Sequence, residues 1–196
     1  RIKSICKKYK ITLIEDTAWG CGAKFKNKFL GTWGRIGAFS FDFAKTLTTG
    51  EGGMLLFKYK KDYDKASAWH DHGHENNPKF PRWEDTRKCS GFNYRMNEMQ
   101  GAVGIAQLKK LKLIIRRQNK NHNLIWKKIK KIPEIEKREY PKHSTISGDA
   151  LIIFMKNKKS ALACRQELLK NSISTKILPE ANKWHFAAQW EHMKEL

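Results

Sequence analysis

Apolar positions along this chain change period several times, and each change predicts an element. Ile2, Ile5, Cys6 and Tyr9 recur at helical spacing, which predicts a helix over residues 1–10. The run from Ile11 to Ile14 reads as a buried strand that ends in two carboxylates, Glu15 and Asp16. Residues 23–29 form a Lys/Phe pattern around Asn27, as expected of a short hairpin. Residues 31–34 read as a loop, Ala38 to Phe41 as a second apolar strand, residues 50–53 as a flexible turn and Met54 to Phe57 as a third strand. Residues 61–70 read as a helix. Asn97 and Gln100 have capping-box spacing ahead of the stripe Met99, Val103, Ala106, Leu108 and Leu111. That helix is expected to run to about Lys131, where Ile132-Pro133 breaks it. Ala150 to Met155 predicts another strand, and Ser160 to Lys170 an amphipathic helix capped by Ser160. Ser174 to Leu178 predicts a short strand ended by Pro179.

Strands alternating with helices predict α/β or α+β layering, with a boundary near Ile132-Pro133. A helix that runs straight into a core strand at the first residues reads as the middle of a longer chain. Residues 70–88 are polar, contain Asn76-Asn77-Pro78 and Phe80-Pro81, and read as a long loop with no core of its own.

Composition narrows the class. No apolar run is long enough to span a bilayer, and no charged-then-apolar leader is visible. The four cysteines have no C-x-x-C pair, which fits a reducing cytoplasm rather than a zinc or redox motif. The formal charge of +21 could recruit nucleic acid, anionic membranes or phosphorylated substrates. Its lysines are spread along the chain rather than set among RNA-stacking aromatics, so a solvated basic surface is the plainer reading.

Candidate chemistry centres on Lys45. A lysine after an apolar strand is usually a solvated edge residue. Here Ser40 precedes it, and the Thr/Gly loop 46–53 follows, with hydroxyls and backbone amides of the kind that hold a phosphate. A lone lysine amine can form a Schiff base with a carbonyl cofactor, and an acid such as Asp16 can keep a pyridine nitrogen protonated. The two together read as half of a pyridoxal phosphate site. The run His70-Asp71-His72-Gly73-His74-Glu75 carries metal-ligand residue types but lacks the H-E-x-x-H spacing, and no metal is expected there. Gly91 to Asn97 brings amide, phenol and guanidinium groups ahead of a helix, and Arg95 is a natural partner for carboxylate or phosphate.

Three stretches, IEDTAWGCGA, GTWGRIGAFSFDFAKTLTTGEGGM and GFNYRMNEMQGAVGIAQLKKL, resemble in order and spacing the DegT-type sugar aminotransferases. The resemblance is clear from about Ile11 to Leu111 and weaker beyond. It implies an α/β fold: part of the large domain of a fold type I pyridoxal-phosphate aminotransferase, followed by a smaller α+β domain. On that basis residues 1–117 would be the C-terminal portion of the cofactor-binding domain, with its N-terminal part missing. Residues 118–196 would be a linker helix and an incomplete small domain, and the 196-residue chain by itself would be inactive. By position, Lys45 would bind pyridoxal 5'-phosphate covalently, Asp16 would pair with its ring nitrogen and Ser40 would hold its phosphate. Asn93 would reach the phosphate in the neighbouring subunit, which implies a homodimer with shared sites. Trp19 stands where the family often has Gln or His beside the ring oxygen. Arg95, His72 and His74 would face the substrate. The implied reaction moves an amine from a donor, glutamate by expectation, to a keto- or aldehydo-sugar for surface polysaccharide or lipopolysaccharide. A branch that removes a hydroxyl carries His in place of the lysine, and Lys45 argues against it. The segments HDHGHENNP, PRWEDTR and ILPEANKWHFA resemble the transaminases that make 8-amino-3,8-dideoxy-octulosonate. Two rival classes remain, an anion- or nucleic-acid-binding module and a non-catalytic relative that keeps the cofactor.

Overall fold

The computed structural model describes residues 1–178, 180 and 186–193. Within them the chain divides into two compact units, one of residues 1–125 and 140–151, the other of residues 126–139 with 152–196. Pro179 and most of the stretch ANKWHFA lie outside the described residues.

The first unit opens with α1 (Ile2–Lys8), whose exposed Lys7 and Lys8 sit in the last turn, where the helix dipole favours cations. The strand that follows is β1 (Ile14–Asp16). The buried strand expected at residues 11–14 is corrected: Ile11 and Ile14 are 58% and 59% exposed. The reason lies in the sheet, where among the described residues β1 pairs on one side only, with the strand Ile36–Ser40, and is an edge strand. Strands β2 (Lys24–Phe25) and β3 (Lys28–Phe29) form the expected hairpin. Lys26 and Asn27 turn it with φ of 47° and 61°, the positive pair a two-residue hairpin turn needs.

Strand β4 (Ile36–Ser40) is the centre of the main sheet. It pairs parallel with β1, Asp16 opposite Ala38, and antiparallel with β5 (Gly53–Phe57), Ser40 opposite Gly53. Gly37 is required at its place, because a Cβ there would lie 2.0 Å from the Gly31 carbonyl oxygen. Helix α2 (Lys60–His70) is anchored to the start of β4 by a two-pronged bond from Arg35 to Asp62, Nε to Oδ2 and Nη2 to Oδ1, each 2.6 Å. Helix α3 (Glu98–Ile129) starts from the predicted capping box: the Gln100 amide donates to Asn97 Oδ1 at 2.8 Å and the Asn97 amide to Gln100 Oε1 at 3.1 Å. No helix among the described residues is long and apolar enough to cross a membrane.

In the second unit β6 (Ile135–Lys137) pairs antiparallel with β8 (Ile153–Met155), while β7 (Ser144–Thr145) joins β2 in the first unit. Helix α4 (Lys158–Lys170) begins two residues earlier than predicted. Its cap is Asn157, whose Oδ1 accepts from the Ser160 amide at 2.9 Å, so Ser160 lies one turn inside. The strand expected at residues 174–178 is absent, because no partner strand pairs with it among the described residues. The chain leaves α4 instead through Ser172, at φ 61°, with the Ile173 amide donating back to the Leu168 carbonyl.

Candidate functional site

Parallel pairing of β1 and β4 puts the carboxyl ends of both strands on one edge of the sheet, where α/β proteins hold ligands. Asp16 ends β1 and Ser40 ends β4. The two neighbouring acids divide their roles. Glu15 turns away and closes the 31–34 loop: its Oε1 accepts from the Gly31 amide at 2.8 Å, and its Oε2 from the Trp33 and Gly34 amides, both at 2.6 Å. Asp16 is exposed, its Oδ1 accepts from the Ala18 amide at 3.0 Å, and its Oδ2 bonds to no described residue.

The chain beyond β1 turns back through Trp19, and the chain beyond β4 through Lys45. The two meet there: Lys45 Nζ lies 3.8 Å from the centre of the Trp19 ring. Lys45 is half-buried and forms no ion pair with a described carboxylate. Leu47, 2% exposed, pins the loop that follows. That loop folds on itself: the Thr48 hydroxyl donates to the Phe41 carbonyl at 3.2 Å and the Thr49 hydroxyl to the Glu51 carbonyl at 2.6 Å. Ser40 Oγ accepts a long 3.4 Å contact from the Asp42 amide, which leaves its own proton free to donate.

A second group of predicted residues gathers beyond the C-terminal end of α2. The expectation of a 70–88 loop without a core is corrected: the loop has a core, made of polar groups. Asp71, His74 and Asp85 are 4%, 5% and 7% exposed. The Arg82 guanidinium grips Asp71, Nη2 to Oδ1 at 2.6 Å and Nη1 to Oδ2 at 3.0 Å. Arg95 Nε and His72 Nδ1 each lie 3.5 Å from the same Oδ1. The Arg82 bond holds the Asp71 carboxyl well below the usual range against the opposing pull of burial, with His72 and Arg95 adding to it. At Asp85 burial pushes the carboxyl up, yet the Asn77 and Asn76 amides and His74 outweigh it and the net shift is downward.

His74 is fixed from both sides. Its Nε2 lies 3.0 Å from Arg87 Nη2, and arginine can only donate, so Nε2 accepts. The proton is then on Nδ1, which donates to Asp85 Oδ2 at 3.2 Å. His70 bonds to the Ser67 carbonyl instead, so the histidines of this run diverge. Among the described residues no group of three or more His, Cys, Asp or Glu side chains is placed to hold a metal.

Asn93 and Arg95 belong to a strip that pairs with residues 69–72. The Phe92 amide donates to the Trp69 carbonyl at 2.9 Å, the His72 amide to Phe92 at 3.0 Å, and the Tyr94 amide to His70 at 2.9 Å. Trp69, Phe92 and Tyr94 pack their rings with centroids 5.3 to 5.7 Å apart, anchoring the strip. Its end docks on the 50–53 turn, where Gln100 Nε2 donates to the Glu51 carbonyl at 2.9 Å.

The structure therefore brings Asp16, Trp19, Ser40 and Lys45 to one edge, and His72, His74, Asn93 and Arg95 around Asp71 and Asp85. Among the described residues no hydrogen bond or ion pair joins the two groups. Arg82, Asp85, the clamped role of Asp71 and the loop-closing role of Glu15 were not singled out from the sequence. The available signal was an excess of acids and arginines in a stretch with few apolar residues to bury.

The DegT/DnrJ/EryC1/StrS aminotransferase family matches residues 1–192. The GDP-perosamine synthase of Escherichia coli O157:H7 is 34% identical over 137 residues, which cover 70% of this chain and 36% of that protein. The GDP-4-keto-6-deoxy-D-mannose 3-dehydratase of Escherichia coli O55:H7 is 32% identical over 179 residues, 85% of this chain and 45% of that protein. In fold, the aminotransferase TlmJ of Streptoalloteichus hindustanus superposes with a TM-score of 0.82 at 23% identity, over 90% of this chain and 47% of that one. The chain spans less than half the length of each of these three proteins.

Proposed function

Since the chain belongs to the DegT/DnrJ/EryC1/StrS aminotransferase family, we propose that it carries the lysine half of a pyridoxal-phosphate-dependent sugar transaminase. The reaction would move an amino group from an amino acid, glutamate by expectation, to a keto- or aldehydo-sugar. The enzyme would act in the cytoplasm, in the synthesis of bacterial surface polysaccharide or lipopolysaccharide. The observation that carries this reading is the meeting of Lys45 Nζ with the Trp19 ring at 3.8 Å, on the sheet edge that also ends in Asp16 and Ser40.

The residues fit the cofactor by their chemistry. Asp16 offers an exposed carboxylate with one oxygen unclaimed, suited to holding a proton on a pyridine nitrogen. Ser40 offers a free hydroxyl proton to a phosphate, which can only accept. Lys45 offers an amine tied to no carboxylate. When bound, the cofactor supplies an electron sink for charge developing at the substrate carbon. Lys45 would hold the cofactor through its amine and would take and return the proton at the amino-bearing carbon. Trp19 would hold that amine over its ring face. A lysine rather than a histidine at position 45 supports amine transfer over loss of a hydroxyl.

By the family resemblance, each subunit's Asn93 would serve the neighbour's phosphate in a homodimer. Arg95 and His72, both exposed, would offer donors to an anionic sugar, including a sugar acid of the octulosonate kind, while buried His74 holds the loop behind them. On this reading residues 1–117 would carry the cofactor-binding portion, and residues 118–196 the linker and small domain.

The test is visible absorbance of the full-length protein with pyridoxal phosphate, before and after borohydride, beside Lys45→Ala. A band that borohydride fixes at Lys45, together with a loss of transfer greater than about a hundredfold in the variant, is expected. Normal turnover by Lys45→Ala would overturn the assignment. Salt-sensitive binding of nucleic acid with no chromophore would favour the basic-module alternative.

A further inference from the structure

Asn93 is useful to a phosphate only if its amide presents NH2 rather than oxygen, because a phosphate oxygen only accepts. The structure contains a device that sets this choice. Arg95 Nε lies 3.0 Å from one terminal atom of the Asn93 amide, and the Arg95 backbone N–H lies 3.4 Å from the same atom. Both groups donate and neither can accept, so the atom facing them is Oδ1. Nδ2 is therefore the free end of an exposed side chain.

What keeps Arg95 there is Asp71. Arg95 Nε is 3.5 Å from Asp71 Oδ1, and the Asp71 carboxylate is itself locked by both arms of Arg82. Asp71 is 4% exposed and lies opposite Asn93 in an isolated antiparallel bridge, so the acid and the amide share one piece of backbone pairing. An exposed arginine has several rotatable bonds and would otherwise spread over many rotamers. A buried, clamped carboxylate beside its Nε confines it, and a planar guanidinium so held presents Nε in one direction.

We propose that Asp71 is a positioning residue that acts through Arg95 to fix the Asn93 amide with its NH2 group presented to a phosphate oxygen. This inference rests on the reading that Asn93 serves the cofactor phosphate.

The experiment uses the full-length protein and two readouts. The first is pyridoxal phosphate affinity by absorbance titration for wild type, Asp71→Asn, Arg95→Lys, Asn93→Ala and the double variant Asp71→Asn/Asn93→Ala. The second is the Arg95 Nε–H resonance of the cofactor-free protein, which reports the guanidinium's confinement without any ligand. Arg95→Lys keeps the charge, removes the Nε donor at an exposed position, and carries the test if Asp71→Asn does not fold. Support is an affinity about tenfold weaker in Asp71→Asn and in Arg95→Lys, the scale of one charge-assisted hydrogen bond. The Nε–H signal should be lost in Asp71→Asn, and the double variant should be no weaker than Asn93→Ala alone. Unchanged affinity in Asp71→Asn, or losses that add in the double variant, would overturn the relay and leave the transaminase reading standing. Absence of any cofactor band in the wild type would instead overturn the transaminase reading, and this inference with it.

Discussion

At the scale of single residues, the neighbouring acids Glu15 and Asp16 show how position on a strand divides two similar side chains. They point to opposite faces of β1. One meets three backbone N–H donors of the 31–34 loop, the other lies open at the sheet edge. Glu15→Gln would set an amide NH2 against backbone N–H groups that need an acceptor. It should cost about 1–3 kcal/mol, seen as a lower denaturation midpoint at unchanged slope. Asp16→Asn should leave that midpoint within about 0.5 kcal/mol, the range of an exposed substitution, and weaken cofactor binding. Equal midpoints for Glu15→Gln and wild type would deny Glu15 its loop-closing role.

At the scale of elements, the sequence was most readable where local rules act alone. The hairpin at Lys24–Phe29 and the capping box at Asn97 and Gln100 need only a few adjacent residues, and both stand as expected. Three elements departed because a nonlocal or competing choice decided them, the first being β1, whose edge position leaves Ile11 and Ile14 exposed. Asn157 and Ser160 are nearly equal caps by propensity, and the chain uses the earlier one. Residues 174–178 have strand composition but no partner, and a strand without a ladder leaves its backbone groups unpaired. The 70–88 loop was opaque for another reason. A core of Asp71, His74 and Asp85, held by the exposed Arg82 and Arg87, has no apolar period, so pattern reading sees only polarity. That Asp16 ends one strand and Lys45 follows another was legible, because an apolar run closed by a charged group is visible in a few residues. The Asn97 cap is also the hinge by which α3 meets the 50–53 turn, through Gln100 and the Glu51 carbonyl. Asn97→Ala should therefore cost about 1 kcal/mol of stability in denaturant unfolding. A change below about 0.3 kcal/mol would mean the cap is replaced by water.

At the scale of the whole molecule, charge governs how stability depends on pH. The chain has 40 Lys and Arg against 19 Asp and Glu, so each carboxylate counters a field of the opposite sign. Four of them, Asp62, Asp71, Glu75 and Asp85, are held below their ordinary range in the fold. A carboxyl with a depressed folded value binds fewer protons when folded than when unfolded. Its contribution is fully present above the unfolded value of about 4 and is lost as pH falls through the folded one. Protonation also removes negative charge from a surface already strongly positive, which adds repulsion that salt screens. The protein should thus lose stability steeply between about pH 5 and pH 2, and added salt should recover part of the loss. Asp71 makes the sharpest case, because its carboxyl is bound by Arg82 and lies within reach of Arg95 and His72. Asp71→Asn cannot titrate at that position, so it should be less stable than wild type at neutral pH. The gap between the two should narrow as pH drops below about 4, where the unfolded wild type takes up a proton that the folded Asp71 carboxylate still excludes. Thermal unfolding of both proteins at matched ionic strength across that range measures it. A gap that stays constant with pH would show that the loop is held by the shape of Asp71 and not by its charge.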